Sequence, residues 1–568
     1  MGGREMDTKN KILMGAGAFV VLCIVVFGGL YLTRNFGKSD KQVSSETALA
    51  TIDRLYDKVK PSVAPPVKSS IEYSDSKSAA DELPDIDSSY PTVVRAGTDL
   101  SVELWSSGEK AGTGTDGWLT EMARRFNAAG VSVNGKTASV TLRSIPSGTS
   151  VDYIASGKRV PDGYTPSNAL WVSMLNAKGV QTTTVTERLA GNVAGVVIKN
   201  DKYDELVQKF GSVDMKAVTQ AVSDGALQFG YTNPFTSATG LNFLISTLVR
   251  YDTSNPLSGV ATEGFRSFQR NVPFVSLTTQ QMHDAAQRDT LDGFVTEYQV
   301  YHNDQQLQGA YKFAAFGYRH DNPLVAVSGA SDDAKAVLDA FAQYCAKDSS
   351  QQLASEDGFN GLDDYVSESA ALDGQTIIHA QELYKKNKDS GNPVVAVFVA
   401  DVSGSMGGEP INALKSSLIN SMSYIGTENY IGLVSYSDDV TINVPIERFD
   451  MDQQRLFKGG VESLSAGGST ATFDGVIVAM KMVQDKLKEI PNARPMIFVL
   501  SDGDTNRGHD LNDIRSPIEA LDVPIYTIGY NANISALKQI SSVSEAATID
   551  ASTDDVTYQL RQLFNASM

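Results

Sequence analysis

Asp401, Ser403 and Ser405 stand on alternate positions directly behind the apolar run 394–400, so one carboxylate and two hydroxyls leave the end of one strand together. Thr470 follows Gly467 and Gly468 and precedes a helical pattern, and Asp502 follows a second apolar run, 496–500. Both runs are apolar on every position, as strands covered on both faces of a parallel sheet are. Such sheets bind ligands at their carboxyl edge, so three loops bring two carboxylates and three hydroxyls to one place. Gly404, Gly467 and Gly468 let the backbone turn there without side-chain clash. Each segment alone is ordinary turn chemistry, and it is their order behind buried strands that points to a site.

Other chemistries are weaker. Asp502, Asp504, Asn506, Asp510 and Asp513 fall on the spacing of a calcium loop, but Arg507 stands where that loop needs glycine, and a strand precedes it instead of a helix. An aspartyl-phosphate centre fails on Asn506, which replaces the Thr or Val such a motif carries. Gly112, Gly114 and Gly117 fit a dinucleotide loop, yet no Asp or Glu occurs between Ala123 and Ser150, where the ribose-binding acid belongs. His283, His302, His320, His379 and His509 are scattered without ligand spacing, and there is no Gly-x-Ser-x-Gly elbow, so the chain is not expected to be an enzyme.

The elements that must hold these groups follow from periodicity. Segments 394–400, 411–425, 431–436, 476–487, 497–500 and 525–529 alternate strand and helix, which predicts a doubly wound α/β domain over 393–568. A second alternating series, including 100–105, 118–126, 138–142 and 324–327, predicts another α/β unit over 93–370, with a helical linker over 371–392. Residues 34–92 are rich in Ser, Asp and Lys, with Pro61, Pro65 and Pro66, and read as a stalk holding one short helix over 47–59. The 22 uncharged residues 12–33 are long enough to cross a bilayer, leaving 1–11 as a cytoplasmic N-terminus. That run exceeds a signal-peptide core, and Leu22 before Cys23 does not suit a lipid-attachment site. Basic residues flank it on both sides, so charge does not orient it.

Composition narrows the partners. A net charge of -19 and a pI near 4.8 repel phosphate backbones, which excludes nucleic acid. With only Cys23 and Cys345, neither a disulfide framework nor a cysteine zinc site can form. Tyr and Phe recur at core-like spacings, which argues for packing over base stacking.

Residues Asp401, Ser403, Ser405, Thr470 and Asp502 match the Asp-x-Ser-x-Ser, Thr and Asp motifs of the von Willebrand factor A family, which the C-terminal domain resembles. The resemblance implies a metal-ion-dependent adhesion site: hydroxyls and acids hold a divalent ion, and one position stays open for a partner's carboxylate. An oxygen donor set with retained waters suits Mg²⁺, with Mn²⁺ or Ca²⁺ as substitutes.

The earlier unit is similar to type II periplasmic solute-binding domains. The likeness rests on the Ser106-Ser107-Gly108 loop after its first strand, on 161–171 and 230–240, and on a closing helix before Asp357 and Phe359. It implies a two-lobed fold hinged around a small anionic or polar solute. Ser106, Ser107, Ser147, Thr149, Asn233, Ser237 and Thr239 are the candidate cleft residues, since hydroxyls at helix N-termini suit an oxyanion. Turns and helix caps account for them equally well.

The combined expectation is a single-pass cell-membrane protein with its C-terminal domains extracellular, binding an acidic group of a protein partner through the metal site. The alternatives are a solute-capture or sensing component of a transport system, and an intracellular metal-dependent assembly factor.

Overall fold

A computed structural model describes residues 43–71, 83–98, 100–272, 275–276, 282, 291–367, 372–388, 392–503, 505–521, 523–530, 548–550 and 556–567. The expected membrane segment 12–33 lies outside them. Among the described residues no helix is long and apolar enough to cross a membrane.

The C-terminal domain is built on a seven-stranded sheet in the order Ser62–Val63, Val440–Arg448, Tyr430–Tyr436, Val394–Asp401, Arg494–Ser501, Ile525–Gly529, Thr548–Asp550. Every pairing is parallel except that of Tyr430–Tyr436 with Val440–Arg448. The central strand Val394–Asp401 is buried along its whole length. Its period of two sends Val394, Ala396, Phe398 and Ala400 into one core, with Leu414, Phe457, Leu560 and Phe564. Val395, Val397 and Val399 enter the opposite core, with Val476, Met480, Ile514 and Ile518. Helices on both faces are therefore required, and the strand ends have only the carboxyl edge on which to present polar groups.

The stalk expected over 34–92 does not hold where that segment is described. Helix Ser45–Val59, capped by Ser44 through the Thr47 N–H at 3.2 Å, buries Ile52 and Leu55 in the second of those cores. Ala48, Ile52 and Leu55 follow helical spacing, and this apolar stripe needs a surface to cover it. Ser62–Val63 then pairs in parallel with Val440–Arg448, and the Ser69 N–H donates to the Arg455 carbonyl at 3.0 Å. Residues 43–71 thus complete the C-terminal domain from the other end of the chain. Beyond them, Leu83 and Ile86 join the core of the next unit and Thr92–Val94 joins its sheet.

That unit has two lobes. One sheet runs Thr92–Val94, Lys136–Ser144, Leu100–Ser106, Gly163–Thr165, Leu324–Val327, Thr182–Thr186, and the other runs Val275–Ser276, Phe229–Thr232, Gly293–Glu297, Val193–Lys199, Tyr311–Arg319. The chain passes between them at 187–192 and again at 320–323, where the His320 N–H donates to the Asn192 carbonyl at 2.9 Å. Two crossings of this kind form a hinge.

The linker is helical, at Gly374–Asn387, but it does not stand free: Ile377, Ala380 and Tyr384 pack with Trp171, Met174 and Tyr231. At the far end of the chain, helix Val556–Ser567 belongs to both units. Phe564 sets its ring edge-on to Phe398 and Phe498 at 6.0 and 5.6 Å, while Tyr558 enters the core of the two-lobed unit. The Lys388 ammonium closes the junction on the Phe564 carbonyl.

Candidate functional site

The sheet edge gathers the expected residues. The Ser403 N–H donates to Asp401 Oδ1 at 2.8 Å, the Ser403 and Ser405 hydroxyl oxygens lie 3.0 Å apart, and the Ser405 hydroxyl donates to Asp502 Oδ1 at 2.9 Å. Thr470 is brought in by its backbone: the Gly404 N–H bonds to the Gly468 carbonyl at 3.0 Å, and the Gly467 N–H bonds to the Val402 carbonyl at 2.8 Å. Gly468 has φ +86°, a left-handed conformation that costs glycine little. Two groups that sequence reasoning missed hold Asp401 from behind. Ser501 donates to Asp401 Oδ2 at 2.6 Å and the Tyr436 hydroxyl donates to the same oxygen at 3.2 Å. The available signal was position, since both sit at the carboxyl ends of the strands flanking Val394–Asp401.

In an octahedron with Mg²⁺–O distances of about 2.1 Å, neighbouring oxygens lie roughly 3.0 Å apart, whereas Ca²⁺–O distances of about 2.4 Å spread them to roughly 3.4 Å. The separations of 3.0 and 2.9 Å along Ser403, Ser405 and Asp502 are those of hydrogen bonds between these groups, and they are compatible with neighbouring positions around such an ion without selecting one. Burial pushes the Asp401 carboxyl above its usual range, opposed by the Ser501 and Ser403 hydrogen bonds and reinforced by the charge of Asp502. A cation between the two acids would reverse that effect. Among the described residues no group of three or more His, Cys, Asp or Glu could hold a metal ion, so the expected ligands are two acids and otherwise hydroxyls, with Asp438 beside them accepting the Ser469 N–H at 3.2 Å.

The calcium-loop spacing dissolves into local structure. Asn506 Oδ1 accepts the Thr470 N–H at 2.9 Å and its own N–H returns to the Thr470 carbonyl at 3.0 Å, so Asn506 braces the Thr470 loop. Asp510 accepts the Asn512 N–H at 2.8 Å at the start of helix Leu511–Leu521. Asp504 lies outside the described residues.

The second candidate site is the cavity between the two lobes, about 260 Å³, whose walls include Ser107, Ser147, Ser237 and Thr239. Three other candidates are turned elsewhere. Ser106 is fully buried and donates to the Ser107 carbonyl at 3.3 Å, Thr149 pairs with the Tyr558 hydroxyl at 3.1 Å, and Asn233 accepts the Phe235 N–H at 2.9 Å as a turn residue. Sequence reasoning missed the charged groups here. Glu109 and Glu297 line the cavity, and Lys110 is buried beside them, with its ammonium 2.7 Å from Ser107 Oγ. Burial pushes Lys110 down to about 8, against the opposing charges of Glu109 and Glu297. Glu109 is held below its usual value: the raising effect of burial is outweighed by Lys110 and by the Ser107 and Ser167 hydroxyls. Glu297 accepts from Thr239 at 2.8 Å and from Asn192 at 3.1 Å, and lies 2.7 Å from His320 Nδ1.

Comparison with known proteins separates the same two regions. Residues 396–566 match the von Willebrand factor type A domain, and residues 111–360 match the bacterial extracellular solute-binding protein family. Inter-alpha-trypsin inhibitor heavy chain H3 from Mesocricetus auratus is 29% identical over 159 residues, covering 25% of this chain and 18% of that protein. The voltage-dependent calcium channel subunit alpha-2/delta-2 of Homo sapiens is 23% identical over 125 residues, 22% of this chain and 11% of that one. This chain therefore spans less than a fifth of the length of these curated relatives. Among solved structures, the sulfate-binding protein SubI from Mycobacterium tuberculosis H37Rv matches at 13% identity and a TM-score of 0.34, covering 46% of this chain and 87% of that one.

Proposed function

We propose that this chain, which carries a von Willebrand factor type A domain and a bacterial extracellular solute-binding domain, is a membrane-anchored binding protein that grips an acidic group of a protein partner through a divalent ion. Asp401, Ser403, Ser405, Thr470 and Asp502 are the residues that would hold Mg²⁺, or Mn²⁺ or Ca²⁺ in its place. The observation that carries the reading is the run of oxygens 3.0 and 2.9 Å apart at an open sheet edge. When bound there, the ion supplies a Lewis-acidic position for a carboxylate. Asp401 and Asp502 together match the ion's two charges, so an acidic partner gains through direct contact of its carboxylate oxygen with the cation at the open position, a contact that a neutral oxygen makes more weakly. Ser501 and Tyr436 keep Asp401 aimed at the edge. No step requires a nucleophile or a general base, so the activity is binding rather than catalysis.

The anchor in this reading is segment 12–33, with the domains on the outer side. Because residues 43–71 pack onto the C-terminal domain, the anchor leads into that domain rather than into a stalk, and the two-lobed unit projects from it. External protease on intact cells tests the topology: cleavage after residue 71 is expected, and full protection until lysis would support the intracellular assembly factor instead. For the site, isothermal titration with Mg²⁺ and Mn²⁺ decides. Binding in the parent and none in Asp502→Ala is expected, and equal affinity in both would remove the assignment. Pull-down with and without a chelator then identifies the partner.

A further inference from the structure

The cleft between the lobes has the parts of an anion site. Helices Ser147–Ser156 and Ala238–Tyr251 begin at its wall, and the buried ammonium of Lys110 stands beside it. Helix N-termini and an ammonium together favour a negative charge. The chain supplies that charge itself. The Ser107 hydroxyl donates to Glu109 Oε1 at 2.5 Å, the Ser167 hydroxyl donates to the same oxygen, and Lys110 Nζ lies 3.8 Å from it. Ser107 and Ser167 are 3% and 2% exposed, so their hydroxyls are committed inside the protein.

The lobes are also tied to one another by their own groups. Gln299 of one lobe donates to the Thr115 carbonyl and to Asp116 Oδ1 of the other, both at 2.9 Å, and the Gly148 N–H donates to the Thr236 carbonyl at 3.1 Å. Thr239, which lines the cavity, is engaged with Glu297, and His320 backs the same carboxylate from within the protein.

We propose that Glu109 is a built-in ligand of the interlobe cleft: its carboxylate takes the place of a solute oxyanion, and the two-lobed unit is held closed on its own side chain instead of capturing an inorganic anion. A second anion entering the cleft would meet the charges of Glu109 and Glu297, with one ammonium to offset them, so like-charge repulsion opposes it. Removing Glu109 leaves Lys110, two freed hydroxyls and the helix N-termini around a larger cavity, which is a site for a tetrahedral oxyanion. This inference does not depend on the metal reading, because no residue of the sheet edge takes part.

Isothermal titration of the full-length protein with sodium sulfate and with sodium phosphate tests it. The parent is expected to give no binding heat, while Glu109→Ala gains sulfate or phosphate binding at least about ten-fold tighter than the parent, as a charge-assisted contact with Lys110 implies. Glu109→Ser, which empties the same space but leaves a polar group at that position, serves as the second variant in case the first does not fold. Small-angle scattering of the parent supplies a reading that needs no variant, with an unchanged radius of gyration expected on adding either salt. Binding by the parent as tight as by the folded variants, no gain in either variant, or contraction of the parent on adding salt would each overturn the proposal. Parental binding would return the unit to solute capture.

Discussion

The sheet edge at Asp401 and the interlobe cleft at Glu109 both set hydroxyls from separate loops against carboxylates, yet only in the cleft is an ammonium part of the same network among the described contacts. At the edge, Ser403, Ser405 and Asp502 form an open run of oxygens with no basic side chain bonded to any of them among the described contacts. In the cleft, the hydroxyls of Ser107, Ser167 and Thr239 already donate to Glu109 and Glu297, and Lys110 stands within the same network. Near the edge, Arg507 is turned to Asp438 at 3.7 Å, whereas in the cleft the Lys110 ammonium lies inside the hydroxyl and carboxylate network. A cluster of hydroxyls therefore does not define a ligand; the countercharge that the chain brings with it decides whether the site is open or filled.

The largest expected effect is at the edge. Asp502→Ala should abolish Mg²⁺ binding in isothermal titration while changing unfolding free energy by less than about 0.5 kcal/mol, the usual range for a side chain outside the core. Asp401→Ala should also abolish binding but cost about 1–3 kcal/mol in urea unfolding, because Tyr436 and Ser501 lose their buried acceptor. If the two variants were equally stable, Asp401 would not be the buried anchor that sets the edge apart.

The edge also needs a finished sheet beneath it. Leu55→Ala, in the helix contributed from the far end of the chain, should destabilise the C-terminal domain by about 2–5 kcal/mol in the same measurement, as removal of a core leucine does. A loss under about 0.5 kcal/mol would mean that the helix hangs free as a stalk. Asn506→Ala removes the acceptor that braces Thr470 and should weaken Mg²⁺ affinity by roughly ten- to a hundred-fold, as loss of a group supporting metal ligands does.

The smallest effect sharpens the cleft side of the comparison. Lys110 is lowered from 10.5 to about 8 by burial. Between those values the unfolded chain binds more protons than the folded one, so this group's contribution to stability rises with pH across the window and is lost as pH falls through about 8. The slope is at most about 1.4 kcal/mol per pH unit. Urea unfolding between pH 7.5 and 10, expressed as a difference from Lys110→Met, should show that rise, and identical profiles would mean that Lys110 is not buried in the cleft.

Local pattern alone determined the strands 394–400 and 496–500, the alternation that makes two α/β units, and the placing of Asp401, Ser403, Ser405, Thr470 and Asp502 at one sheet edge. An apolar run reports that a strand is covered on both faces, and chain direction reports which end carries the polar residues. Pattern did not report what covers a surface. Residues 43–71 read as a stalk because their one apolar stripe, Ala48, Ile52 and Leu55, is short, and its partners Val476 and Ile514 lie more than four hundred residues away. The same distance hid the Tyr558 contact that takes Thr149 out of the cleft. Glu109 and Lys110 follow the Ser106-Ser107-Gly108 loop directly and were legible as charges, but their role was not. A carboxylate beside hydroxyls reads alike in sequence whether it faces solvent or fills a cavity, and only the tertiary approach of Ser167 to Glu109, with Glu297 on the same cavity wall, separates the two.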